Sequence, residues 1–175
     1  MKKVDLKKII QGKTAVFIDA ANVLYSQQTL GWKLDYEKLY QLFLKNTKLI
    51  GIYFYTGKIG TNDKQSGFIK RLTKLGYQVI AKEVKFIKIS KIDSIPKGNL
   101  DIELALDAYR FSELYDSIVL ASGDSDFAYL LDLLKEKDKH IIVLSTKGHV
   151  ARELIKRGKY IDLRKLEPEI KWSPK

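Results

Sequence analysis

The stretch DSIVLASGDSDFAYLLDLLKEKDKHIIVLS (116–145) decides how the rest of the chain is read. It opens on a continuous apolar run, DSIVLAS (116–122), and closes on another, HIIVLS (140–145). Runs of this kind, rich in β-branched residues, suit strands buried on both faces, as in a parallel sheet. Between them, Phe127, Leu130, Leu131 and Leu134 recur at i, i+3, i+4 and i+7, so the spacing predicts a helix over 125–137. Strand, helix and strand in this order make a βαβ crossover.

Outward from this unit the same alternation recurs. TAVFID (14–19), LIGIYFYTG (49–57) and YQVIA (77–81) read as further strands. LDYEKLYQLFLKN (34–46) places Leu39, Leu42 and Phe43 on one helical face. SGFIKRLTKLG (66–76) aligns Phe68, Leu72 and Leu75 and stops at Gly76, a C-terminal signal. Residues 100–114 are helical, and a last helix near 149–157 leads to YIDL (160–163), a short edge strand. The expected fold class is α/β: a three-layer α/β/α sandwich around a mainly parallel sheet. One domain is expected over 14–166, after a basic N-terminal segment (1–13) and before a C-terminal tail (167–175). That tail holds Pro168 and Pro174 and is expected to fray. Ligands of such sheets bind beyond the carboxyl ends of the strands.

Composition narrows the function classes. With 175 residues, 45% of them hydrophobic, the chain can bury a sizeable core and is not a disordered tail. The absence of cysteine excludes a disulfide scaffold, thiol catalysis and Cys-ligated zinc or iron–sulfur sites. Two histidines, His140 and His149, leave little for a His-rich metal centre. No apolar run reaches the roughly 18 residues of a membrane span. In MKKVDLKKIIQGK (1–13) charges recur before any secretory apolar segment develops, so a cytoplasmic protein is expected.

The net charge of +11 points to an anionic partner. It is unevenly spread. Residues 57–97 carry ten Lys or Arg against three Asp or Glu, whereas 98–138 carry three against ten. A basic block running into an acidic one is not evenly scattered solubilising charge, although two solvated helix faces of opposite sign would give the same totals.

The acids fall where an α/β sheet makes its crevice. Asp19 ends the first strand, followed by Ala20, Ala21 and Asn22, and DSIVLAS runs into Gly123, Asp124, Ser125 and Asp126. Asp101 lies near Leu104, Ala105 and Ala108 on the inward side of its helix. Asp124 or Ser125 serves equally as a helix cap, and Asp101 as a first-turn acid after an Asn99 cap. Capping does not account for Asp19 at the end of a buried strand. Were the four acids to converge, two carboxylates about 4 Å apart would repel by about 4 kcal/mol at an effective dielectric of 20. Four need a cation, and all-oxygen ligation favours Mg²⁺ or Mn²⁺ over zinc.

FIDAANVLY (17–25), KGNLDIELALDAYR (97–110) and SGDSDFAYLLDLLKEKDKHIIVLS (122–145) resemble the three signature blocks of NYN domains, the PIN-like ribonucleases of the LabA type. ARELIKRGKYIDL (151–163) resembles that family's closing helix and strand, so the likeness spans roughly 14–163. It implies a PIN-like sandwich and Mg²⁺- or Mn²⁺-dependent hydrolysis of RNA phosphodiester bonds. Carried over residue by residue, it implies metal ligands at Asp19, Asp101, Asp124 and Asp126. It further implies Asn22 orienting phosphate or water, and Ser122 lining the site. Asp107 fits the pattern too, as a partner behind the site. TKGHVARE (146–153) departs from the family's usual Ser- and Gly-rich loop, and His149 there reads as a surface histidine.

For the substrate, Lys58, Lys64, Lys70, Arg71 and Lys74 lie on or beside the second helix. Lys82, Lys85, Lys88, Lys91 and Lys97 follow in an extended region, where KEVKFIKISK (82–91) suits a charged ribbon. Such phosphate contacts supply affinity without sequence readout. Lys58, Arg71 and Lys97 are the chosen phosphate contacts, and RNA, single-stranded or structured, is the expected partner, with no membrane. The sequence admits a homo-oligomer. Tyr53, Tyr55 and Tyr77 read as packing residues, and Tyr25 or Trp32, in a loop after Asn22, as base-stacking candidates. The competing reading is a PIN-like RNA-binding or regulatory module without hydrolysis. A haloacid-dehalogenase-like phosphatase needs an Asp two positions after the first acid, where this chain has Ala21. No GxGxxG follows the first strand, which weakens a dinucleotide-binding reading.

Overall fold

The computed structural model describes residues 4–60, 62–88, 94–97 and 99–174, with the backbone alone for 85–88 and 94–97. In chain order it runs α1 (Leu6–Ile9), β1 (Lys13–Asp19), α2 (Ala20–Leu30), α3 (Tyr36–Asn46), β2 (Lys48–Lys58), α4 (Asp63–Leu75) and β3 (Gln78–Glu83). Then come β4 (Lys85–Lys88), β5 (Ser94–Lys97), α5 (Asp101–Arg110), β6 (Ser117–Ala121) and α6 (Ala128–Glu136). The chain closes with β7 (His140–Ser145), α7 (Arg152–Arg157), β8 (Lys159–Asp162) and α8 (Glu167–Ile170). A 3₁₀ turn, Ser125–Phe127, precedes α6, and another, Leu163–Leu166, comes after β8.

Six strands form one sheet in the order β3-β2-β1-β6-β7-β8, and every neighbouring pair is parallel. The continuous apolar runs have a simple origin. Along β1, Val16 and Ile18 enter one core while Ala15 and Phe17 enter the other, all 1% exposed or less. A strand covered on both faces loses the polar half of its alternation. One core takes Leu6, Val23, Leu39, Phe43, Leu72 and Ile170, so α1 to α4 and α8 cover that face. The other takes Leu104, Leu130, Leu134 and Leu154 from α5, α6 and α7. The three-layer sandwich expected from the sequence is present.

The chain lays β1, β2 and β3 outward in one direction, returns through the antiparallel pair β4–β5, and lays β6, β7 and β8 outward in the other. The reversal falls between β1 and β6. In open α/β sheets that is where a crevice opens beyond the strand ends.

Two expectations are corrected. The segment after Asn22 is a helix and not a loop: α2 is capped by Asp19, which accepts hydrogen bonds from the backbone N–H groups of Ala21 and Asn22. Asp19 is therefore also a capping residue, and Trp32 belongs to the buried core, away from any stacking role. The stretch expected to fray is packed: Ile170 is fully buried, Asp35 N donates to Ile170 O, and Leu34 bridges Lys171. At the other end Leu6 and Ile10 are buried in the same core.

Candidate functional site

The sheet reversal brings together side chains from three separate parts of the chain. Asp19 leaves the end of β1 with its Oδ1 accepting from Ala21 N at 3.1 Å and Asn22 N at 3.2 Å. Its Oδ2 accepts from Ser122 Oγ at 3.0 Å. Ser122 is fully buried just beyond β6, and its hydroxyl also accepts from Asp124 N at 3.2 Å. Asn22 Oδ1 accepts from Gly123 N at 2.9 Å. Two side-chain bonds thus tie the ends of β1 and β6, and Ser122 fixes the Asp19 carboxylate.

Gly123 is required by packing. A Cβ there would collide with the backbone carbonyl of His149, and Gly123 O accepts from Ala151 N at 2.9 Å. Beyond it, Asp124 Oδ1 accepts from Asp126 N at 3.0 Å, capping the 3₁₀ turn before α6. Asp101 opens α5, its Oδ2 accepting from Asn99 Nδ2 at 2.5 Å while its N–H donates to Asn99 Oδ1 at 3.1 Å.

Carboxylate oxygens of Asp101, Asp124 and Asp126 lie within 4.8 Å of one another. Asp19 is outside this trio but lines the same cleft as Asp101 and Asp124. Among the described residues none of the four forms an ion pair with a cation. Burial raises the Asp19 carboxyl above its ordinary value, with the Asp101 charge adding to it and the bonds from Asn22, Ser122 and Ala21 opposing. Burial likewise raises Asp101, helped by the charges of Asp124, Asp126 and Glu103 and opposed by Asn99. These groups sit together at an electrostatic cost, and hard oxygen donors at this spacing suit a divalent cation such as Mg²⁺ or Mn²⁺.

The cleft encloses about 720 Å³. Its lining joins the carboxylates and Asn99 to residues of α2, Asn22 among them, of the end of β2 and of α4. Lys58 ends β2 between Gly57 and Ile59, both of which line the cleft. Arg71 is farther off: it approaches Glu37 at 3.7 Å and lines a neighbouring hollow of about 280 Å³. The backbone of Lys97 ends β5, and its side chain lies outside the described residues, as does Lys91. Asp107 lies behind the site, accepting from Tyr55 OH at 3.0 Å. Tyr53, Tyr55 and Tyr77 are buried packing residues.

Sequence reasoning named Tyr25 as a stacking candidate but missed the other rings of the cleft, Tyr36, Phe54 and Phe68. Phe68 is on the core-facing stripe of α4, yet is 37% exposed, and Tyr25 on α2 is 61% exposed. His149, read as a surface histidine, is half-buried, its Nε2 2.5 Å from Thr29 Oγ1.

Three comparisons agree with this architecture. The NYN domain model matches residues 13–164. The low amplitude and bright protein LabA of Synechococcus elongatus is 40% identical over 156 residues, covering 86% of this chain and 83% of that protein. A crystal structure of a Vibrio parahaemolyticus protein of unknown function superposes with a TM-score of 0.76 at 21% identity, covering 93% of this chain and 97% of that one. That likeness speaks to the fold.

Proposed function

The chain belongs to the NYN domain family of PIN-like nucleases, and from that premise we propose that it is a metal-dependent ribonuclease hydrolysing RNA phosphodiester bonds at the strand reversal. The observation that carries the reading is the Asp101, Asp124 and Asp126 cluster, three carboxylates within 4.8 Å opening into a cleft. Mg²⁺ or Mn²⁺ would be held by Asp101, Asp124 and Asp126 with Asp19 beside them. When bound, such an ion polarises a phosphate oxygen and offsets the charge that builds up as the bond breaks.

The remaining roles belong to the chain itself. Ser122 Oγ and two backbone N–H groups hold the Asp19 carboxylate in one orientation, so that it need not reorganise during reaction. Asn22 spends its Oδ1 on Gly123 N, which leaves its amide N–H₂ to donate to phosphate or water. Lys58, Arg71 and Lys97 are proposed to contact the RNA backbone. These are phosphate contacts and carry no sequence readout.

The test is cleavage of labelled single-stranded and hairpin RNA in Mg²⁺ or Mn²⁺. Cleavage that stops with chelator and with Asp124→Asn supports the mechanism, and equal cleavage with the metal chelated overturns it. Salt-sensitive binding without turnover under either metal would instead make the protein a binding module.

A further inference from the structure

The cleft that holds the carboxylates is also lined by rings. Tyr25, Tyr36, Phe54 and Phe68 line it, with Leu24 and Ile59 at its edge. Tyr36, Phe54 and Phe68 form an edge-to-face nest, with centroids 5.5 Å apart for Tyr36–Phe54, 5.4 Å for Tyr36–Phe68 and 6.0 Å for Phe54–Phe68. The nest fixes the Phe68 ring while leaving it 37% exposed, and Tyr25 stands 61% exposed. Both glutamines of this wall are already bonded. Gln65 accepts from Ile59 N at 3.0 Å and donates to Gly57 O at 2.6 Å, and Gln27 accepts from Leu34 N at 2.7 Å. The lining therefore offers mainly ring surface, together with the exposed Tyr25 hydroxyl.

We propose that this wall is a nucleobase subsite, in which Tyr25 and Phe68 stack the base of the nucleotide next to the phosphate at the carboxylates. The proposal rests on the ribonuclease reading. What selects the occupant is the juxtaposition in one cavity: its ligand needs a flat apolar face for the rings and anionic oxygens that reach the carboxylates through a shared divalent cation, as a nucleotide has. About 720 Å³ lies within the range of small-ligand sites and admits a nucleoside. Because every base has a π-face and both glutamines of the wall are engaged, stacking there does not by itself select a base.

The experiment measures binding of a fluorescein-labelled oligouridylate and of an abasic ribose-phosphate chain of equal length to the whole protein in Ca²⁺, a hard cation that oxygen ligands also hold, with the chains checked on a gel to be uncut. The expected result is tighter binding of the base-bearing chain by roughly five- to a hundredfold. Tyr25→Leu and Phe68→Leu, which keep apolar bulk, should each remove most of that preference without changing the salt slope, because stacking releases no counterions. Tyr129→Leu, on α6 and outside the cleft, should leave it intact. Equal binding of the two chains by the wild type, or a preference that survives both cleft variants, overturns the subsite and leaves the wall to an apolar partner. The two readings fail separately. Base-dependent binding without cleavage in Mg²⁺ or Mn²⁺ sinks the nuclease, and metal-dependent cleavage with no base preference sinks the subsite.

Discussion

Two strands of the same sheet end in an aspartate that caps the next helical turn, and the two carboxylates meet opposite fates. At the end of β8, Asp162 caps a 3₁₀ turn by accepting from Arg164 N at 3.0 Å, and the Arg164 guanidinium closes on it through Nε at 3.0 Å. Burial alone would raise the Asp162 carboxyl, but the Arg164 contacts outweigh it and hold the group below its ordinary value. At the end of β1, Asp19 caps α2 in the same way, but there burial raises the carboxyl and the charged neighbour, Asp101, adds to the rise instead of opposing it. One local geometry thus serves two purposes. Where the chain supplies its own cation the aspartate is structural, and where it supplies none the charge is left for a ligand to compensate.

The largest expected effect falls on the uncompensated side of this comparison, at Asp124 beside Asp19 in the cleft. Asp124→Asn should lower metal-dependent cleavage by roughly a hundredfold or more, the scale of losing one transition-state charge stabiliser. Its melting temperature should stay near that of wild type, because Asn caps as well as Asp. Next comes Gly123→Ala, whose Cβ meets the His149 carbonyl. It should cost about 3 kcal/mol in urea unfolding and weaken cleavage by moving the acidic turn.

At β8, Asp162→Asn should cost about 1–2 kcal/mol near pH 7, the lower part of the range for charge-assisted bonds because Arg164 is half in water. The sign of its pH dependence comes from the lowered value. The stabilisation is complete above the unfolded carboxyl's value near 4 and is lost as pH falls through the lower folded one. Wild type and Asp162→Asn should therefore converge in stability in acid, and a difference that persists undiminished at pH 2 would refute the assignment. The smallest effect sharpens the contrast: Asp19→Asn, measured in chelator, should leave stability within about 0.5 kcal/mol or raise it slightly. A loss as large as that of Asp162→Asn would mean that Asp19 is held for structure.

The sheet was legible because two-sided burial leaves uninterrupted apolar runs in β1, the middle of β2, β6 and β7, while the partly exposed edge strands β3 and β8 carry shorter ones. Asp124 and Asp126 were legible for the same reason, since a strand that stops at Ser122 has to leave its next residues at the crevice. The helix α2 was not legible. AANVLYSQQTL buries only Val23 and Ser26, so it carries no apolar stripe, and its exposed Leu24 and Tyr25 read as loop. The helix is held at its start by Asp19 and at its end by Gly31 in the left-handed conformation, both of them tertiary or capping signals that periodicity misses. That Phe68 joins Tyr25 in the cleft was missed for the same reason. Phe68 obeys the helical stripe of α4, and only the position of α2 relative to it turns a core residue into the floor of a cleft.

The bond between Ser122 and Asp19 joins residues 103 positions apart. During synthesis, β1, β2 and β3 can pair while everything after β3 is still unmade, yet that intermediate holds Asp19 without Asp101, Asp124 or Asp126. Long-range parallel pairing is slow to form because loop closure precedes its reward. The acidic wall comes into being only once β6 has inserted beside β1, so a nascent or truncated chain still surrounded by messenger and ribosomal RNA carries no assembled centre.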